Sequence, residues 1–324
     1  MSKRLCGLIV IACFALGIAA AHAQNYPQKP VRIVVPQAAG GATDLMARAV
    51  GQRLAAAWGQ PVVVENKPGA NNLIAAEYVL KSAPDGYTLL ASPEATFVTN
   101  QFIYRNLPYG PERDFTPVSG LGAIYQVLVV HPSVPARNVS ELVALAKAKP
   151  EGIAVGTLAK GAAGHLNVVL FEQMAGIKLN VVHYRGGAPA LKDVIGGHVQ
   201  MTILSVALTA PQIKAGTVRG LGIGSPKRIA ALPDLPTIGE SGVAGYEAAG
   251  WFGLAAPSGT PREIVEKINA DIQRIATSAE FREKFLVPNN IEPILGNPQQ
   301  FAAYVKAGAA KWGKLIRDAR TRVD

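Results

Sequence analysis

Residues 31–58 read VRIVVPQAAGGATDLMARAVGQRLAAAW, and this stretch decides the class of the fold. Val31-Arg32-Ile33-Val34-Val35 is a short β-rich run, closed by Pro36. A small-residue turn with the pair Gly40-Gly41 follows. From about Asp44 to Trp58 the apolar residues Met46, Val50, Leu54 and Trp58 return at helical spacing. Strand, glycine turn and helix in that order make one βα unit. In such units ligands meet the carboxyl end of the strand, where the helix begins.

The same alternation continues outward from this unit. Strands are predicted at Pro61–Glu65, Tyr87–Ala91, Gln126–Val130, Ile153–Gly156, Leu179–His183, Gln200–Leu204, Arg219–Gly224 and Phe252–Ala256. Helices are predicted at about Asn72–Ser82, after Asn138, at Gly164–Ala175, at Ala188–Ile195, and ending near Gly216. Asn138 with Glu141 has the capping-box spacing. Thr260, Pro261 and Glu263 have it again ahead of Ile264, Ile268, Ile272 and Ile275. A last amphipathic helix carries Phe301, Tyr304, Val305, Trp312 and Ile316. Alternating units of this kind form an α/β fold with parallel sheets covered on both faces. The length suits two such domains.

The first residues set the compartment. Lys3 and Arg4 precede an apolar stretch, Leu5 to Ala21, and Ala21-His22-Ala23 has the A-x-A form of a cleavage site. Residues 1–23 therefore read as a secretory signal peptide that delivers the chain to the periplasm. An uncleaved anchor and a lipoprotein with Cys13 as the lipidated residue are the alternatives. Both cysteines, Cys6 and Cys13, fall in this segment. The mature chain then has no disulfide, thiolate metal site or cysteine nucleophile. The formal charge is +10, but the basic residues are scattered and aromatics are scarce, which excludes a nucleic-acid binder.

Two turns carry the candidate chemistry. In the first, Pro36-Gln37-Ala38-Ala39-Gly40-Gly41-Ala42-Thr43-Asp44, the glycines let the backbone approach a ligand. Thr43 or Asp44 can cap the helix, and the free N–H groups with the helix dipole favour a carboxylate. An ordinary tight turn explains this segment, taken alone, about equally well. No G-x-G-x-x-G and no Gly-Lys-Ser/Thr is present, so neither a dinucleotide fingerprint nor a phosphate loop is read here. The second turn, Gly156-Thr157-Leu158-Ala159-Lys160-Gly161-Ala162-Ala163-Gly164-His165, has the same shape. Enzyme signatures are missing. Gly222-Ile223-Gly224-Ser225-Pro226 departs from G-x-S-x-G. His131, His165, His183 and His198 show no metal or triad spacing. No cofactor and no metal are expected, and an exported hydrolase is the remote alternative.

The chain resembles the extracytoplasmic solute receptors of the tripartite tricarboxylate transporter system, the Bug family. The resemblance rests on Tyr26-Pro27 with Lys29-Pro30, on Gly40-Gly41-Ala42-Thr43-Asp44, and on Glu65-Asn66-Lys67-Pro68-Gly69-Ala70. It continues through Ala83-Pro84-Asp85-Gly86-Tyr87-Thr88-Leu89-Leu90, Asp114-Phe115-Thr116-Pro117-Val118 and Leu232-Pro233-Asp234-Leu235-Pro236-Thr237. It ends with Trp251-Phe252-Gly253-Leu254 and Gly259-Thr260-Pro261. It implies a type II periplasmic binding protein fold, two α/β lobes with a ligand cleft between them. Crossings are expected near 122–125 and 249–251. One lobe would comprise residues 24–124 and 250–324, the other 125–249.

The family ligands are small carboxylates, and the resemblance implies a receptor that closes on one of them. Its partners would be membrane transporter subunits, or alternatively a sensor kinase, and the receptor would be a monomer. The implied first clamp is Gln37, Ala39, Gly40, Gly41, Thr43 and Asp44, with Ala70 and Asn71 from the next loop. Asp44 is expected to orient backbone or water more than to touch ligand. Ser92, Glu94 and Thr96 follow the third strand. The implied second clamp is Thr157, Ala159, Gly161, His165, Tyr184 and Arg185, with Leu204.

Several of these positions depart from the family pattern. Gln37 stands where an aromatic is usual, and Asn71, Asn72 and Leu73 replace a Gly-Gly-Asn run. Glu94 lies in a loop usually small or hydroxylic, and either meets a ligand cation or N–H or pairs with Arg185. Ala162 and Ala163 replace frequent hydroxyl residues. Leu204 replaces an Asp that in some members meets a ligand amine, which argues against an α-amino acid.

Overall fold

The computed structural model describes residues 26–158, 163–184 and 186–318. The expected signal peptide and Ala159, Lys160, Gly161, Ala162 and Arg185 lie outside these residues. The first unit forms as read: β1 (Val31–Val35) enters a turn and then α1 (Ala42–Trp58). Side chains alternate along β1, so Val31, Ile33 and Val35 share one face and Val34 takes the other. The first set joins Met46, Val50 and Leu54 of α1 in one core cluster. Val34 joins a second cluster on the opposite face.

β2 (Val62–Asn66) and β3 (Thr88–Pro93) flank β1 in parallel, with α2 (Leu73–Leu80) between them in sequence. The sheet is completed by two long antiparallel neighbours, β4 (Phe115–Val130) and the late strand β9 (Ala249–Pro257). Between them in sequence come α3 (Val139–Ala148), β5 (Ala154–Thr157), α4 (Ala163–Ala175), β6 (Asn180–His183) and α5 (Gly187–Ile195). β7 (Met201–Ser205), α6 (Val206–Lys214) and β8 (Arg219–Ile223) follow. β5, β6 and β7 form a second parallel set, and β4 joins it through antiparallel pairing with β7 and β8.

β4 is the element that links the two sets. Its residues Phe115 to Tyr125 pair with β9, ending at Tyr125↔Ala249. From Gln126 onward it pairs with β7, and from Val127 with β8 as well. The strand thus changes partners within one residue step. The expected all-parallel sheets are mixed, because the crossing strands β4 and β9 run antiparallel to their neighbours.

Two further long helices pack on the first sheet. α7 (Arg262–Thr277) buries Ile264, Ile268 and Ile272 against the α1 face. α8 (Pro298–Asp318) buries Phe301, Val305, Trp312, Leu315 and Ile316 in the cluster that holds Val34 and Leu90. That cluster continues through Trp251 to Phe171 of α4 and Leu142 of α3. One apolar core therefore runs from the first sheet into the second set of helices. The Asn138 cap forms as expected, its side chain accepting from the Glu141 N–H at 2.8 Å. The Thr260 cap does not. The Thr260 hydroxyl donates to the Pro257 carbonyl at 2.8 Å, and Pro261 takes the cap position.

Candidate functional site

The turn between β1 and α1 is built by Asp44. Its side chain is buried, and its Oδ2 accepts from the Gly40 N–H at 2.9 Å. The Arg48 guanidinium, one helical turn on, donates to it at 3.0 Å. Asn66 at the end of β2 donates to Asp44 Oδ1 at 2.8 Å and to the Gln37 carbonyl at 2.9 Å. Burial alone would raise the Asp44 carboxyl. The Arg48, Gly40 and Asn66 donors outweigh it and hold the group below the usual carboxylate range.

Asp44 is therefore a brace inside the first turn of α1, not its cap. Gly41 takes the cap position, with no side chain on the N–H groups behind it. The helix is 17 residues long, so its N-terminus carries the full partial positive charge. Gly40, at φ +88°, needs a glycine to turn the chain there. Residues 38–40 are exposed, so the uncapped end faces open space.

The loop after β2 lies beside this turn. Gly69, Ala70, Asn71 and Asn72 all have positive φ, at 131°, 44°, 48° and 77°. Three consecutive non-glycine residues in that region are strained by roughly 1–3 kcal/mol each. Asn100 holds the loop in place. Its side-chain oxygen accepts from Asn71 Nδ2 at 3.0 Å, and its amide donates to the Asn71 carbonyl at 3.1 Å.

The third strand offers less than the sequence promised. Ser92 and Thr96 are fully buried and bond each other at 2.6 Å. Glu94 is also buried, with the indoles of Trp251 on β9 and Trp312 on α8 beside its carboxyl. Neither indole is legible as a partner of residue 94 in the sequence.

On the second set of strands, Thr157 ends β5. Its hydroxyl is buried and finds no hydrogen-bond partner among the described residues. His165 lies buried in the first turn of α4, its ring 5.0 Å from that of His183. His183 Nδ1 meets the Leu158 carbonyl at 2.8 Å. The Tyr184 hydroxyl donates to Asp193 on α5 at 2.7 Å. Burial and that carboxylate push the phenol up to about 12.

Leu204 belongs to an apolar cluster with Val127, Ala190 and Leu191, packed beneath the start of α5. Ala159, Gly161 and Arg185 lie outside the described residues. Sequence reading missed Arg48 and Asn66. The i,i+4 spacing of Asp44 and Arg48 was the signal for the first, and the Glu65–Ala70 motif held the second.

Ser225, the nearest thing to a nucleophile motif, is buried and donates to the Lys227 carbonyl. Among the described residues no cluster of His, Cys, Asp and Glu is suited to a metal. No described helix is long and apolar enough to cross a membrane.

The model of the tripartite tricarboxylate transporter family receptor matches residues 46–320. The chain belongs to this receptor family. Protein BugT of Bordetella pertussis is 33% identical over 322 residues, spanning 99% of this chain and 98% of the relative. Among solved structures, R. palustris Rpa4515 with adipate is 38% identical with a TM-score of 0.77, over 92% of this chain and 99% of that one. MatC from Rhodopseudomonas palustris, with bound malate, is 29% identical with a TM-score of 0.72, over 90% and 100%. Periplasmic binding protein BugD is 33% identical with a TM-score of 0.72, over 92% and 99%. The fold of the receptor is therefore that of two-lobed periplasmic solute-binding proteins.

Proposed function

We propose that this receptor is exported through residues 1–23 and captures a small carboxylate between two lobes for a membrane transporter. The lobes are residues 24–124 with 250–324, and residues 125–249. The change of partners in β4 at Tyr125 and Gln126 supports that division. The receptor acts as a monomer and has no catalytic role.

The observation that carries the reading is the uncapped N-terminus of α1, braced by Asp44 and faced by glycines. Free N–H groups at a helix N-terminus bind anions by hydrogen bonds and by the helix dipole. The N–H groups of Gly41 and the first turn of α1 take one carboxylate, with Gln37, Ala39, Gly40, Thr43, Ala70 and Asn71 shaping the walls. Across the cleft, the buried Thr157 hydroxyl supplies a donor that the protein leaves unused. His165 and Tyr184 lie on that side, and Ala159, Gly161 and Arg185 are proposed to contribute with them. The carboxylates in Rpa4515 and MatC, adipate and malate, are the ligand class this geometry suits.

A thermal-shift screen of mono-, di- and aromatic carboxylates tests the reading. A ligand at 100 times its dissociation constant adds about 2.7 kcal/mol to stability. The absence of any shift across the set overturns it.

A further inference from the structure

On one face of the molecule an apolar core crosses the proposed division of the lobes. On the other face, among the described residues, none does. The cluster beneath α8 joins Val34, Leu90 and Trp251 to Phe171 and Leu142. On the opposite face, the cluster under α1 and α7 holds only residues of 24–124 and 250–324. The cluster under α5 and α6 holds only residues of 125–249. A crevice of about 600 Å³ lies between these two, with Leu286 and Ile291 of the first and Ala210 and Ile229 of the second in its walls.

Both walls are fixed to β4, on either side of the step where it changes partners. The first wall is the segment 282–293. Glu292 exchanges both backbone hydrogen bonds with Ala123 of β4, at 2.8 and 2.9 Å. The second wall is α6, which starts directly after Ser205, the β7 residue opposite Gln126 of β4. Ala207, Ala210, Pro211 and Lys214 recur at helical spacing, so one stripe of α6 faces the crevice. Tyr125 lines it at the step itself.

The walls are mainly apolar, and the charges on them are few. Lys214 comes from α6 and Arg282 from the facing segment. Both are exposed, and neither is in an ion pair with another described residue. Glu292 is the one acid in the lining. A cation on each wall of an apolar crevice suits an acid group carried on an apolar body. The volume falls in the range of small-molecule clefts, about 300–1,000 Å³. None of the residues of the two clamps lines it, and β3 and β9 stand between β1 and β4 in the sheet.

We propose that this crevice is a second ligand site, which takes a small amphipathic organic anion and whose occupant opposes capture of the carboxylate. The opposition rests on the two-lobe carboxylate reading above; the site itself does not. The apolar body fills the space between α6 and the segment 282–293, and the acid group meets Lys214 or Arg282. The shared core on the α8 face ties the lobes together there, so their relative motion is taken up on the opposite face, where α1 packs. The crevice straddles the bend and narrows as the lobes close. An anion wedged in it holds them apart, and by reciprocity a captured carboxylate weakens the wedge.

The probe is anilinonaphthalene sulfonate, an aryl sulfonate whose fluorescence rises in apolar surroundings, titrated into the folded receptor. It binds with a stoichiometry of one. Lys214→Glu combined with Arg282→Glu weakens it by about tenfold. Ala230→Trp, at an exposed position on the crevice, fills the space and abolishes the signal. Asp44→Asn, which alters the α1 turn, leaves the probe's affinity unchanged. Saturating adipate or malate weakens the probe by about fivefold or more, and the probe weakens the carboxylate by the same factor. Probe binding that ignores both crevice variants, or that falls with Asp44→Asn, overturns the second site. Equal probe affinity with and without a bound carboxylate overturns the opposition alone. A receptor that takes the probe at the crevice and binds no carboxylate overturns the carboxylate reading and leaves the second site standing.

Discussion

The Asp44 carboxylate is fully engaged by the protein, accepting from Gly40, Arg48 and Asn66. Its effect on ligand is through the shape of the turn. Asp44→Asn exchanges a charged acceptor for a neutral one, which weakens the hold on Gly40 and Arg48 and loosens the turn. Carboxylate affinity should fall by about tenfold or more, read by titration calorimetry. Thr157 separates binding from stability in the other direction. Its buried hydroxyl has no partner, so Thr157→Val should raise stability by about 1 kcal/mol in urea unfolding while weakening ligand binding. A drop in both would assign Thr157 to the core.

Glu94 gives a signed pH dependence. Its folded carboxyl sits near 7 and its ordinary value is 4.5, so the native state keeps a proton that the unfolded chain releases. The stabilising contribution is complete below about 4.5 and is lost as pH rises through 7. That loss is about 3 kcal/mol. Asp44 and Asp271, both lowered, act in the opposite sense, losing their stabilisation only as pH falls below the ordinary carboxylate range. Unfolding free energies between about pH 5 and pH 8 should therefore decline for the wild type and stay flatter for Glu94→Gln. Identical profiles would show that Glu94 is not the titrating group. None of this is legible in the sequence. Trp251 and Trp312 lie far along the chain from residue 94, and only the fold brings them to it.

At the scale of elements, the βα units were readable because their apolar residues keep strand or helix spacing and their turns carry glycine. β4 was not. Pro117, Gly120 and Gly122 look like breakers, so only Gln126–Val130 stood out as a strand. The strand survives them because its pairing with β9 shifts register between Pro117 and Ser119 and again between Gly120 and Gly122. The glycines serve close packing. A Cβ on Gly120 would come within 2.3 Å of Ile294 Cγ2, and one on Gly122 within 2.5 Å of Ile291 Cγ2. Gly120→Ala should cost about 1–3 kcal/mol in urea unfolding through overpacking. An unchanged midpoint would mean that the 291–294 segment moves away freely.

For the whole molecule, the sequence pattern indicated α/β units and two domains, while the expectation of a discontinuous lobe came only with the family resemblance. A strand that begins in one sheet and ends in another leaves no local signature. The consequence is mechanical. β4 and β9 are paired from Phe115↔Pro257 to Tyr125↔Ala249, and closure of the lobes would bend the molecule where that ladder ends. The central claim is that a carboxylate sits between the α1 turn on one lobe and the β5 end on the other. A crystal structure grown with adipate or malate tests it most directly. One carboxylate group is expected within hydrogen-bond distance of the Gly41 or Ala42 N–H, with the Thr157 hydroxyl brought into the same ligand's contacts. A ligand held by one lobe alone, or seated away from the α1 N-terminus, would contradict it.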